Sequence, residues 1–381
     1  MDYYGDQDIM IFSVPGKCEI GGNHTDHQQG RVLASAIQLD SIGIVGKQDR
    51  YVKVIYNELN INEIDTENIK YNEAKKGTME SLINGVLFGL KQKNYHIGGF
   101  NAYIQCDIPR NVGLGSSANF NIMIGTIINY LYNEGKIENK YLVQIGRFAT
   151  NIFYCKPSGL MNECVCCVGG FIKVDFRDPN LPDIYKLNTD FSNFDYTLCC
   201  VNSNVCRSDN TIDYDAIPKE MIKVANFFKK DVLRDVSYDE FMKNYRIVRA
   251  RVGDRPALRA LHFFKEEDRV LKQTEALEKG DFDTFLKLVR ESGDSTFKAL
   301  QNIYPQESTR HQNIGTAIVL SENFLGEDGV VKVNGGGFSS TMIAFVKTSV
   351  INDYAAYMDS IFGKGSCYII HTREQGAIRL L

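Results

Sequence analysis

The sequence predicts an α+β fold in two lobes, and three observations carry that expectation. The chain has 381 residues, 44% of them hydrophobic, which is ample for more than one buried core. Its first half interleaves strand-like runs with helical ones, whereas the spacing beyond about residue 195 is mainly helical. A later block, "GVVKVNGGGFSSTMIAFV" (329–346), returns to strand, glycine turn and strand. The boundary is placed at 195/196, giving lobes 1–195 and 196–381.

The elements follow in order. "DIMIFSV" (8–14) and "YVKVIYNEL" (51–59) are rich in β-branched and aromatic residues and read as strands. "TMESLINGVLFGLKQK" (78–93) has helical spacing, with Leu82, Val86, Leu87 and Leu90 on one face. "FNAYIQCDIP" (100–109) alternates like a half-buried strand, and the apolar run 116–135 is a long helix ending at Glu134 and Gly135. Residues 141–154 form another helix, broken by Pro157 and Gly159. Helices are then expected over roughly 216–230, 238–251, 256–278, 281–292 and 307–323, with a late strand at 366–372.

Composition excludes several classes. A formal net charge of −4 and a pI near 5.9 argue against nucleic acid as a partner. No apolar run approaches the roughly 20 residues of a membrane span. The acidic start "MDYYGDQD" lacks the basic region of a secretory signal, so a cytoplasmic protein is expected. Ten cysteines include a C-x-C-C cluster at Cys164, Cys166 and Cys167. No second ligand pair accompanies it, and the cysteines read as reduced apolar residues.

Three stretches carry chemistry. "GLGSSANF" (113–120) joins a strand to the long helix. Free N–H groups at a helix start, with glycines allowing close approach, make an anion site. Ser116 and Ser117 add hydroxyls that could also face a metal ion, or Ser116 could simply cap the helix. No lysine follows the second glycine, so this is not the Walker-type loop. "NGGGFSS" (334–340) is either a plain turn or a backbone-lined wall against a ligand. "GKCEIGGNHTDHQQG" (16–30) sets Asn23, His24, Thr25, Asp26 and His27 in a row. His24 and His27 are a weak metal pair. A hydroxyl-rich sugar suits the row better, since Asp accepts from neighbouring hydroxyls while Asn and His both donate and accept.

Together and in this order, the three stretches resemble the GHMP kinases, and the first resembles the galactokinase family in its bacterial branch. "GKCEIGGNHTDH" is similar to G-R-x-x-x-I-G-E-H-T-D-Y, "PRNVGLGSSA" (109–118) to P-x-x-x-G-L-x-S-S-A, and "GGGFSS" to a G-x-G-F-G-G type segment. "VNSNVCRSDNTIDY" (201–214) resembles the segment leading to a sugar-facing tyrosine, and "SGLMNECVCCVGGF" (158–171) a G-x-M-D-Q segment. The resemblance implies a GHMP kinase fold, with an N-terminal lobe like ribosomal protein S5 domain 2. It also implies transfer of the ATP γ-phosphoryl, with Mg²⁺, to the C1 hydroxyl of galactose. Asn23, His24, Asp26 and Tyr214 would then hold the sugar. Gly113, Leu114, Gly115, Ser116, Ser117 and Ala118 would hold the phosphates, and Gly335, Gly336, Gly337 and Phe338 would wall the site. A hexose and ATP are the expected partners, with a monomer expected and a dimer left open.

The charged centre departs from that resemblance. The family's catalytic aspartate is Asn162, its arginine is Lys17, and its metal-binding glutamate is Thr150. Asn111, Val112 and Gly115 replace further residues of the phosphate segment. An amide takes no proton from a hydroxyl, and loss of a general base typically costs about 10²–10⁴-fold. Reduced activity is therefore expected, or a sugar- and nucleotide-binding pseudokinase without turnover. Phosphoryl transfer nonetheless depends mainly on positioning and electrostatics. Glu163 follows Asn162, but about 100° of helical rotation should turn it elsewhere. Arg207 could favour a different or anionic sugar. Arg251, Arg255 and Arg259 read as a solvated helix face with Asp254 and Glu266, Phe263 and Phe264 as core, and His96, His262, His311 and His371 as isolated.

Overall fold

The computed structural model describes residues 8–110, 112–156, 158–189, 191–204, 211–305, 310–338 and 341–381. Asn111, Pro157 and Arg207 lie outside them, as do 339–340 of the glycine turn and 307–309 at the start of one expected helix.

Two sheets organise the chain, with strands numbered in chain order. The larger contains β1 (Ile9–Gly21), β2 (Arg31–Gln48), β3 (Tyr51–Tyr56), β4 (Leu59–Asn60), β5 (Ile64–Asp65), β6 (Gly99–Cys106), β7 (Phe171–Asp175), β8 (Asp183–Lys186) and β13 (Ile378–Arg379). Its main path runs β13-β1-β2-β6-β3-β4, with β7 also on β2, β5 on β3 and β8 on β7. Only β3 and β6 pair in parallel among the described strands, and their connection includes α1 (Met79–Gln92), as a crossover requires. The smaller sheet is antiparallel, in the order β10 (Gly329–Val333), β11 (Thr341–Lys347), β9 (Tyr196–Asn202), β12 (Cys367–Ile370). Helices α2 (Ser116–Tyr132), α3 (Asn139–Phe148) and α4 (Met161–Val168) pack with α1 beside the large sheet. The second half supplies α5 (Thr211–Phe227), α6 (Tyr238–Lys243), α7 (Tyr245–Val252), α8 (Asp254–Glu278), α9 (Phe282–Ser295), α10 (Asn313–Leu325) and α11 (Ile351–Phe362). This is the two-lobed α+β architecture expected from the sequence.

Periodicity located α1 and β6 closely. Thr78 caps α1 by accepting from the Ser81 amide at 3.2 Å, and the predicted apolar face is buried. Elsewhere the structure differs. Strand β1 runs on to Gly21 because bulges at Pro15/Gly16 and Glu19/Gly21 absorb the irregular residues. Strand β2 had no sequence signal. It pairs with β1, β6 and β7 and is buried along much of its length, so apolar and polar residues do not alternate. The run expected as a strand to 59 turns at Asn57 and Glu58, both with positive φ, making a tight hairpin into β4. The expected 238–251 helix is split at Asn244, whose side chain donates to the Glu240 carbonyl at 2.9 Å.

The arginine face expected to be solvated is so only in part: Arg251 and Asp254 are exposed and Arg255 is half-buried, but Arg259 and Glu266 are not. Arg259 is fully buried, donating from Nε to the Leu300 carbonyl at 3.0 Å and from Nη1 to Glu220 at 2.9 Å. Arg255 also binds Glu220. Glu266 is buried too, accepting from the Gly22 amide at 3.1 Å, from Ser292 Oγ at 2.6 Å and from Arg269. The reason is tertiary: α8 runs between α5 and α9 and against β1 and β2, so Arg259 and Glu266 meet protein rather than water. The cysteines of the described residues are free, and no described helix is long and apolar enough to cross a membrane.

The two halves are stitched together at the end of β1. Lys332 Nζ, buried on β10, donates to the Ile20 carbonyl at 2.9 Å. His262 Nε2 on α8 lies 2.9 Å from the Asn23 carbonyl. These bonds hold the loop after β1 against the second half of the chain.

Candidate active site

Between the halves lies a cleft of roughly 540 Å³, within the usual size for a small-molecule site. Strand β1 enters it with Lys17 and Glu19, two residues apart and so on one face. Lys17 is 4% exposed and makes no ion pair among the described residues. Its backbone amide donates to the Leu114 carbonyl at 3.0 Å, which pins the glycine loop to the strand.

That loop ends in the amino terminus of α2. Gly115 is the N-cap, at φ +86°, and no side chain caps the helix, so the capping reading of Ser116 does not hold. A Cβ on Gly115 would fall 2.8 Å from Lys17 Cγ, so a glycine lets the lysine stem and the loop meet. The first amides of α2 and the Ser116 and Ser117 hydroxyls therefore open into the cleft beside a buried cation, the arrangement an anion requires. Leu114 differs from its neighbours: it is buried and contributes its carbonyl to Lys17 rather than a surface to the cleft.

The polar loop is held in a single shape. Thr25 is fully buried and its hydroxyl bridges the Gly22 and Arg31 carbonyls at 2.8 and 2.5 Å. Asn23 is equally buried, and its amide is spent internally. Nδ2 donates to Glu19 Oε1 at 2.6 Å and to the Gly335 carbonyl at 2.5 Å, while Oδ1 accepts from Asn302 Nδ2 at 2.8 Å. Asn23 thus works as a clasp between the loop and the glycine turn. His24, at φ +59°, has Nε2 2.8 Å from the Gly336 carbonyl and Nδ1 3.2 Å from His27 Nε2. Only one neutral arrangement fits: His24 donates from Nε2, and His27 donates from Nε2 to His24 Nδ1. Burial lowers the pKa of both imidazoles and keeps them neutral. With their facing nitrogens so engaged they make no metal pair, and no group of three metal-ligating side chains occurs among the described residues.

Asp26 faces the cleft. Its Oδ1 accepts from the His27 amide at 2.8 Å, and its Oδ2 lies where a Cβ on Gly159 would come within 1.9 Å. Gly159→Ala should therefore push the Asp26 carboxylate aside. The opposite wall is the 335–338 turn. Gly336 lies so close under Tyr214 that a Cβ would meet Tyr214 Cε2 at 2.1 Å, and that ring stands 5.4 Å from His24. Phe338, at φ +49°, is anchored by its amide to the Asn302 carbonyl at 2.8 Å.

The floor comes from α4 and the π-helical turn 149–153 that ends α3. Thr150 borders the cleft, but its hydroxyl accepts from Asn121 Nδ2 at 2.8 Å and donates to the Gly146 carbonyl at 3.2 Å. Asn162 and Glu163 both line the cleft, so helical rotation did not turn Glu163 away as expected. Burial pushes the Glu163 carboxyl up to about 8. Glu19, Lys156, Gly159, Glu163 and Asp215 are cleft residues that no motif assigned. Only Glu163 had a signal, its place beside Asn162.

A glycine-lined helix terminus, two lysines and a polar loop share this one cleft. Residues 81–170 match the GHMP kinases N terminal domain. Over that span the chain is similar to the GHMP kinases. Residues 1–47 match the galactokinase galactose-binding signature. Galactokinase of Lactococcus lactis, solved with galactose, has the same fold, with a TM-score of 0.83, 20% identity and coverage of 100% of this chain and 97% of the other. Mevalonate kinase of Methanococcus jannaschii superposes with a TM-score of 0.67 at 17% identity, covering 97% and 99%. A D-glycero-D-manno-heptose 1-phosphate kinase from Bacteroides thetaiotaomicron gives 0.64 at 13%, covering 98% and 99%.

Proposed function

We propose that this chain is a galactokinase-like sugar kinase that moves the γ-phosphoryl of ATP to the C1 hydroxyl of galactose or a related hexose, at reduced rate. The observation that carries this reading is that Lys17, the α2 terminus, Asp26 and the 335–338 turn line one cleft. Residues 1–195 would carry the sugar and phosphate loops, and 196–381 the lobe that closes over them. The amides of 116–118 and the Ser116 hydroxyl would bind the polyphosphate, which fits because Gly115 presents no side chain toward it. Lys17 would balance the charge on the transferring phosphoryl. Asp26 would accept from sugar hydroxyls, with His24 and Tyr214 shaping the pocket and Asn23 fixing the loop.

Mg²⁺ would be held through the Ser117 hydroxyl, which lines the cleft, and would supply charge neutralisation there. Thr150 is a poor donor, since its hydroxyl is already engaged on both sides. That engagement, with the amide at Asn162, supports a second reading: a protein that binds sugar and nucleotide without turnover.

ADP release in the presence of ATP, Mg²⁺ and galactose separates the two. The kinase reading expects release above the no-sugar blank; release equal to the blank, with galactose still raising the melting temperature, selects the second. A melting temperature indifferent to every hexose tried would remove both.

A further inference from the structure

Glu163 enters the cleft from the first turn of α4, and nothing above gives it a task. It is 1% exposed, and its Oε2 has no hydrogen-bond partner among the described residues. Buried carboxyl oxygens nearly always have one. Gly146 of α3 makes room for it: a Cβ there would fall 3.1 Å from Glu163 Cγ. The neighbouring Asn121 amide uses both its protons, on Thr150 Oγ1 and the Gly146 carbonyl, so it offers Glu163 no donor.

The charged groups facing Glu163 are cations from three directions: Arg147 on α3, Lys17 on β1 and Lys156 beyond the π-helical turn. Cys164 and Cys166 of its own helix are the other titratable groups in range. Lys17 and Lys156 line the same cleft. A carboxyl with one oxygen unpartnered, lining a polar cleft with two lysines, suits a group that must receive a proton as phosphoryl charge moves past it.

We propose that Glu163, rather than the residue at 162, accepts the proton of the attacking sugar hydroxyl. This rests on the kinase reading above. The hydroxyl oxygen bonds to the γ-phosphorus, the bond from that phosphorus to the β–γ bridging oxygen breaks with its electrons leaving on ADP, and the hydroxyl proton passes to a Glu163 oxygen. Burial pushes this carboxyl up to about 8, which makes it a better base near neutrality than an ordinary glutamate. The rate should then rise with pH through that region and level off once Glu163 is ionised.

The test is kcat against pH, from about pH 6 to 9, for wild type, Glu163→Gln and Glu163→Asp, with galactose-dependent thermal shifts alongside. Glu163→Gln is expected to lose about 10²–10⁴-fold in kcat and the rising limb, while keeping the thermal shift. Glu163→Asp should keep the limb at intermediate rate, and it decides the matter if the glutamine variant does not fold. A Glu163→Gln enzyme with wild-type kcat and an unchanged limb overturns this proposal alone. A Glu163→Asp enzyme without the limb does the same. A wild type that releases no ADP with any hexose overturns it together with the kinase reading.

Discussion

Lys17→Met is expected to lower kcat for ADP release by about 10²–10³-fold, the cost of removing one fixed stabiliser of developing charge. The lysine is 4% exposed and makes no ion pair among the described residues, so its charge is aimed at the cleft rather than spent on the protein. Methionine fills the same space beside Gly115, where the lysine stem makes its closest approach. The sugar loop has separate anchors in Thr25 and Asn23. Galactose-dependent thermal stabilisation should therefore survive while turnover falls. Loss of both together would mean that Lys17 holds the loop rather than the phosphoryl group.

Glu163 gives the second large effect, on stability. Its carboxyl has an ordinary value of 4.5 and stands at about 8 in the folded protein, with desolvation the main cause. The folded state thus holds the proton more tightly than the unfolded state. Stability from this group is fully present below 4.5, falls as pH rises from 4.5 to about 8, and is level above that. At about 1.4 kcal/mol per pKa unit the whole fall is on the order of 4–5 kcal/mol. Glutamine has no proton to lose there. Denaturant titrations at a series of pH values should show Glu163→Gln matching wild type near pH 5 and exceeding it by several kcal/mol near pH 9. Parallel curves for the two proteins would contradict this. A residue whose removal raises stability but lowers turnover is what a functional site that stores cost would contain.

The site was more legible in the sequence than the sheet around it. The glycine-serine run at 113–118, the polar row at 23–27 and the glycine turn at 334–338 are local signals, and each of the three reaches the cleft. Strand β2 was not legible, because a strand paired on both sides and buried lacks the alternation that marks a surface strand. Asn23 shows a subtler limit. Five polar residues in a row announced a polar purpose without saying whose donors and acceptors they serve. Asn23 serves Glu19, Gly335 and Asn302, two of them about 300 residues away along the chain.

The sequence by itself determined the α+β class, the glycine-serine helix terminus and the polar loop, because each is written in residues close together along the chain. Tertiary structure alone decided that Arg259 and Glu266 are buried, that Thr150 is engaged and that Glu163 lines the cleft with one oxygen unpartnered. Those outcomes depend on which distant element packs against a side chain, and burial, charge and partnering are properties of that meeting rather than of the residue.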